Sequence, residues 1–151
     1  MRSDTLFNFK KDQYMNTNSI NSEWILLQNQ FDSYEKHSLY IKLLSASILL
    51  AAELSGVVSM GLILLLGVLW LQDGIWKTYQ SRIESRLLLV EKYISEDNNG
   101  EAFQFNSDFQ KLRLTGTSLI REYLDQSIRP TVAFPHFVLL LILVVKYLMF
   151  I

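Results

Sequence analysis

The side chains able to do chemistry are few and widely spaced. Glu53 is the single carboxylate inside a long apolar run, where an acid can serve as a proton or ion site. Beside Leu54-Ser55-Gly56, and with no basic partner expected from the other apolar runs, it reads more simply as a turn residue that reaches water. Asp73 lies near the far end of the same run, with Lys77 one helical turn later as an i,i+4 partner, and reads as an interfacial helix-end charge. His37 and His136 fit no H-x-x-x-H or comparable ligand pattern, so no metal set is expected. His37 reads as a polar residue near a membrane surface, His136 as an interfacial residue after Pro135. Gly56-Val57-Val58-Ser59-Met60-Gly61 is one residue too long for a nucleophile elbow and has no base beside it, so it reads as a turn. The chain has no cysteine, which excludes disulfides, thiolate metal sites and cysteine nucleophiles. Neither G-x-x-x-x-G-K nor G-x-G-x-x-G occurs, so no phosphate cradle is expected. No enzyme and no cofactor follow from these residues; Glu53 alone stays a candidate functional carboxylate.

The elements that must position them are membrane segments. Of 151 residues, 50% are hydrophobic and only 19% charged, against about 25% in an ordinary soluble domain. Positions 43–71 hold one charge, Glu53, and positions 132–145 hold none. The run from Tyr40 to Asp73 would be about 50 Å long as one helix, too long for a hydrocarbon core of about 30 Å. A hairpin with spans of about 38–54 and 57–74 turns at Glu53-Leu54-Ser55-Gly56 and leaves Lys36, Lys42, Lys77, Arg82 and Arg86 on one side. If cationic flanks stay cytoplasmic, both ends of the hairpin are inside. A third span, about 131–151, starts after Arg129-Pro130, tolerates Pro135 in its first turns and puts the C-terminus outside. Near its end Lys146 snorkels to the outer interface beside Tyr147, and Trp70 and Trp76 bracket the inner end of the second span. The expected class is thus an all-α, multi-pass inner-membrane protein: a flexible stretch 1–19, a cytoplasmic amphipathic helix 20–37, the hairpin 38–74, a cytoplasmic helical region 75–130 and the third span. No signal peptide is expected in the polar first 37 residues, and Met15 is an alternative start.

Two helix faces stand out. Ser47, Ala51 and Ser55 recur every four residues, with Ala52 and Gly56 alongside, a small-residue pattern that lets helix backbones approach. It suits packing against the second span or an oligomer seam; a pore lined by Ser47, Ser55 and Ser59 is a weaker third use. Ile20, Trp24, Leu27, Phe31 and Tyr34 form one apolar stripe before the first span, with a cap at Asn21 or Ser22. After the second span Trp76, Tyr79, Ile83, Leu87, Val90 and Ile94 form another, with Arg82, Glu84, Arg86 and Glu91 on the other faces. The two stripes suit an antiparallel cytoplasmic stalk in which Phe31 meets the level of Ile83 and Trp24 that of Val90. Ser95-Glu96-Asp97-Asn98-Asn99-Gly100 should end the second helix, and a further helix from Leu112 to Ile128 should break near Gly116. Lys111, Arg113, Arg121 and Arg129 are interleaved with acids, so a nucleic-acid partner is not expected; anionic lipid suits the residues nearest the bilayer.

This order of a polar helix, a two-span hairpin, Trp70-Leu-Gln-Asp73-Gly-Ile-Trp76 and then Arg82-Ile-Glu84-Ser-Arg86 with Glu91 resembles small bacterial membrane proteins of prophages and defence islands, including SLATT-type effector modules. The resemblance covers residues 20–95 and lies in layout; the third span departs from a two-span module. It implies a non-enzymatic membrane component of a bacterial conflict system, acting by self-association or with a cytoplasmic protein partner to perturb the bilayer. An immunity protein against a pore-forming toxin, or an accessory subunit of a membrane complex, are the alternatives.

Overall fold

The computed structural model describes the backbone of residues 2–96, 100–112 and 114–149, and the side chains within 17–96, 100–111 and 114–149. The described residues form five helices in order: α1 (Arg2–Ser55), α2 (Met60–Ser95), α3 (Phe105–Leu112), α4 (Thr117–Ser127) and α5 (Pro130–Met149). Among the described residues there is no strand. Among the described residues, three helical stretches are long and apolar enough to cross a membrane: Thr17–Ser55, Met60–Ser95 and Pro130–Met149.

The helix ends follow local chemistry. No Gly or Pro precedes Gly56, so nothing interrupts α1 until that residue adopts φ +65° and the chain turns. Two expectations are corrected here. The stretch 1–19, expected as a flexible terminus, is the start of α1 from Arg2 onward. No cap forms at Asn21 or Ser22, because α1 continues through them and Ser22 Oγ donates within the helix to the Asn18 carbonyl at 2.8 Å. Ser59 starts α2: its carbonyl accepts from Leu62 N at 3.1 Å and its hydroxyl from the same N–H at 3.4 Å. The second Gly of the elbow-like stretch thus lies in the first turn of a capped helix. The Ser95–Gly100 cluster follows the end of α2, with Asp97–Asn99 outside the described residues. Gly116 at φ +61° separates α3 from α4, and Pro130 opens α5 where a missing N–H costs nothing.

The chain divides into two compact units. The first comprises Met1–Ser33 and Ser81–Arg113, the second Tyr34–Gln80 and Leu114–Ile151. In the first, Ile20 and Leu27 of α1 and Ile83, Leu87 and Val90 of α2 are buried. In the second, α1, α2 and α5 share an apolar cluster of Leu49, Leu66 and Leu143, with Ile48, Leu62 and Leu139 packed against it. The outer sides of these same helices stay apolar: Leu43, Leu50, Leu64, Val68, Leu141 and Val145 are all exposed. Water would penalise that surface, whereas lipid would not.

Candidate functional site

One carboxylate ties three helices of the second unit together. Asp73 of α2 is fully buried. The Ser38 hydroxyl of α1 donates to its Oδ1. Lys42 Nζ, one turn further along α1, donates to Ser38 Oγ at 2.8 Å and lies 3.4 Å from Asp73 Oδ2. His136 Nε2 of α5, itself buried, meets the same Oδ2 at 3.2 Å. The imidazole serves there as an N–H donor, in a tautomer set by the carboxylate. Asp73 thus accepts from a hydroxyl and an imidazole and is ion-paired with an ammonium, which is how a buried charge escapes its desolvation cost.

Around this cluster α2 and α4 approach closely. The Trp70 ring stacks on His136 with centroids 6.5 Å apart and an interplanar angle of 14°. Its Nε1–H donates to the Ser127 carbonyl of α4 at 2.9 Å. Gly74 makes the contact sterically feasible: a Cβ there would stand 2.9 Å from Ser127 Cβ and 3.0 Å from Ser127 Cα. On the neighbouring turn, Trp76 stacks on His37 at 5.1 Å and lies 5.3 Å from the Tyr34 ring.

The contacts do not make a nucleophile–base pair. The Ser38 proton is directed at a carboxylate, and the imidazole engages the other oxygen of that carboxylate instead of the hydroxyl. Among the described residues no group of three His, Cys, Asp or Glu side chains is placed to hold a metal ion.

The first unit has a hub of its own. Arg86 of α2 forms a fork with Glu23 of α1, Nε to Oε1 at 2.9 Å and Nη2 to Oε2 at 3.1 Å. Nη1 donates to Asp108 of α3 at 3.0 Å, and Nη2 also to the Glu101 carbonyl at 2.8 Å. Glu23 Oε2 accepts in addition from the backbone N–H of Phe103, at 2.8 Å, which holds that residue at φ 59°. Burial pulls the guanidinium pKa down, but the Glu23 hydrogen bonds and the charges of Glu23 and Asp108 outweigh it and raise it above its ordinary value. Arg82 lies 4.8 Å over the Phe109 ring, adding a second tie between α2 and α3.

Several sequence expectations are corrected by these contacts. Asp73 is buried and is not partnered by Lys77, whose Nζ donates instead to Gln80 Oε1 at 2.7 Å. His136, expected after Pro135 at the membrane surface, is buried as a partner of Asp73. Arg86, assigned to a polar face, is buried in the stripe with Ile83, Leu87 and Val90. Glu53 has a basic partner after all, Lys146 of α5, so neither is held by solvent alone. Of the small residues, Ala52 is buried in line with Ser45 and Leu49, whereas Ser47, Ala51, Ser55 and Gly56 are exposed. Ser47 and Ser55 donate back to the Leu43 and Ala51 carbonyls. Of the stalk residues, Trp24 Nε1 donates to Glu91 Oε1 at 3.1 Å, one residue from Val90. Leu27, Ile83, Leu87 and Val90 are buried, Phe31 is half-buried, and Tyr34 stacks on a partly exposed Tyr79 at 6.3 Å.

No protein-family model matches the chain, and comparison with curated proteins and with solved structures likewise yields no match.

Proposed function

We propose that this is a non-enzymatic inner-membrane component of a bacterial conflict system, which perturbs the membrane by self-association or under the control of a cytoplasmic partner. In this reading α1, α2 and α5 cross the bilayer, with the N-terminus inside and the C-terminus outside, because the cationic residues flank the hairpin on one side only. The observation that carries the mechanism is the orientation of the small-residue face. Ser45, Leu49 and Ala52 supply the buried side of α1, so Ser47, Ala51 and Ser55 remain on its outer side, available for close approach of a second helix. Exposed Ile25, Leu26 and Leu88 offer the first unit an apolar surface for a partner.

The test is membrane potential and viability after controlled induction of this gene alone. Rapid depolarisation is the expected result, and Ala51→Leu with Ser55→Leu should abolish it while leaving the protein in the membrane. No depolarisation, or a variant as active as the wild type, contradicts the mechanism. Resistance to a pore-forming toxin on overexpression would support the immunity role instead.

A further inference from the structure

Next to the Asp73 cluster, within the second unit, lies an open cleft of about 320 Å³ lined by Lys36, Lys42, Lys77, Glu35, Gln80 and Thr131 among others. That volume is at the lower end of the roughly 300–1,000 Å³ usual for small-molecule sites. Three lysines from two helices line it against a single lining carboxylate. Lys42 is shared with Asp73, which leaves Lys36 and Lys77 in the lining beside the single carboxylate Glu35. Lys77 is held in place by a neutral group, the Oε1 of Gln80, a residue only 2% exposed, so its charge is oriented without being cancelled. Thr131, in the first turn of α5, brings a hydroxyl-bearing side chain to the lining, and Leu39 and Val132 add apolar side chains beside the charges.

We infer that this cleft binds a phosphate-bearing anion, with Lys36, Lys77 and Thr131 as its donors. Compact ammonium groups on flexible stems suit a phosphate as point charges. The adjoining Leu39 and Val132 wall fits the glycerol and upper acyl region of a phospholipid, which makes an anionic headgroup the natural source; free phosphate offers the same chemistry. The choice of a lipid source rests on the membrane reading above, whereas the anion site itself does not.

The purified full-length protein in a neutral detergent is titrated with short-chain phosphatidylglycerol, with short-chain phosphatidylcholine and with inorganic phosphate, following its thermal unfolding midpoint. Phosphatidylglycerol should raise the midpoint with saturation, and phosphatidylcholine should not. Lys36→Gln with Lys77→Gln should weaken apparent affinity about thirtyfold, as expected for removing two cations near a membrane surface. Since Lys36 is exposed and Lys77 partners a neutral amide, the unliganded midpoint should stay close to the wild-type value; Lys36→Gln alone gives a smaller loss in the same direction if the double variant folds poorly. Saturation by inorganic phosphate with the same lysine dependence supports the site and assigns it to a free anion, even if the membrane role fails. No shift with either anion, or equal shifts in wild type and double variant, overturns the proposal.

Discussion

The two units each bury a charge, and they do so differently. In the first, a guanidinium spends its donors on two carboxylates and a carbonyl, binding α1, α2, α3 and the loop at Glu101–Phe103. In the second, a carboxylate takes a hydroxyl and an ammonium from α1 and an imidazole from α5, and further along these helices the exposed surface is apolar. The first hub organises irregular chain that has little core of its own. The second fixes the rotation of helices that apolar packing alone leaves underdetermined, since Leu, Ile and Val side chains pack in many registers. Similar buried polarity thus serves folding in one place and registry in the other.

Removing Arg86 should have the largest effect. Arg86→Met leaves Glu23 buried without its cation, which costs about 3–5 kcal/mol. Hydrogen exchange should then speed up across α3 and residues 100–104 while the amides of α5 keep their protection. Adding Glu23→Leu should restore most of the loss, because a matched apolar pair removes the stranded charge. Equal acceleration of exchange in both units would show that Arg86 does not act within the first unit alone.

Asp73→Asn should cost less, about 1–2 kcal/mol, the upper range for polar contacts between membrane helices. The asparagine still accepts one hydrogen bond, yet Lys42 and His136 no longer share a charge. Thermal unfolding in detergent, read through Trp70 on its stack with His136, measures this. Adding His136→Gln should cost little more if the two act through one contact. The Glu53–Lys146 pair should matter least. Both side chains are about one-third exposed, at 33% and 34%, so Glu53→Gln should shift the same midpoint by about 1 kcal/mol or less. A larger loss would make it a third hub.

Much of this was legible in the sequence, for physical reasons. Apolar runs reveal membrane-length helices through composition alone, and Gly56 and Gly116 mark chain turns because they adopt positive φ. Partner choice was not legible. Arg86 and Glu23 are 63 residues apart, as are His136 and Asp73, and Lys146 and Glu53 are 93 apart, so no local spacing couples them. A signal did exist. Glu23 falls between Ile20 and Leu27 on an apolar stripe, and Arg86 falls between Ile83 and Val90 on another. A charge of one sign on each facing stripe is the pattern of a buried pair. The face of α1 used for packing was ambiguous for another reason: small residues occur at Ser45 and Ala52 as well as at Ser47, Ala51 and Ser55, and periodicity ranks neither face inward.

In the proposed topology three helices cross the bilayer with the α1–α2 turn outside, and because the sequence has no cysteine this is directly measurable. Val57→Cys, in that turn, and Glu96→Cys, just past the end of α2, are labelled with a membrane-impermeant maleimide in intact and permeabilised cells. Labelling of Val57→Cys in intact cells, with Glu96→Cys reacting only after permeabilisation, is the predicted result. Labelling of Glu96→Cys in intact cells, or protection of Val57→Cys until permeabilisation, would contradict it.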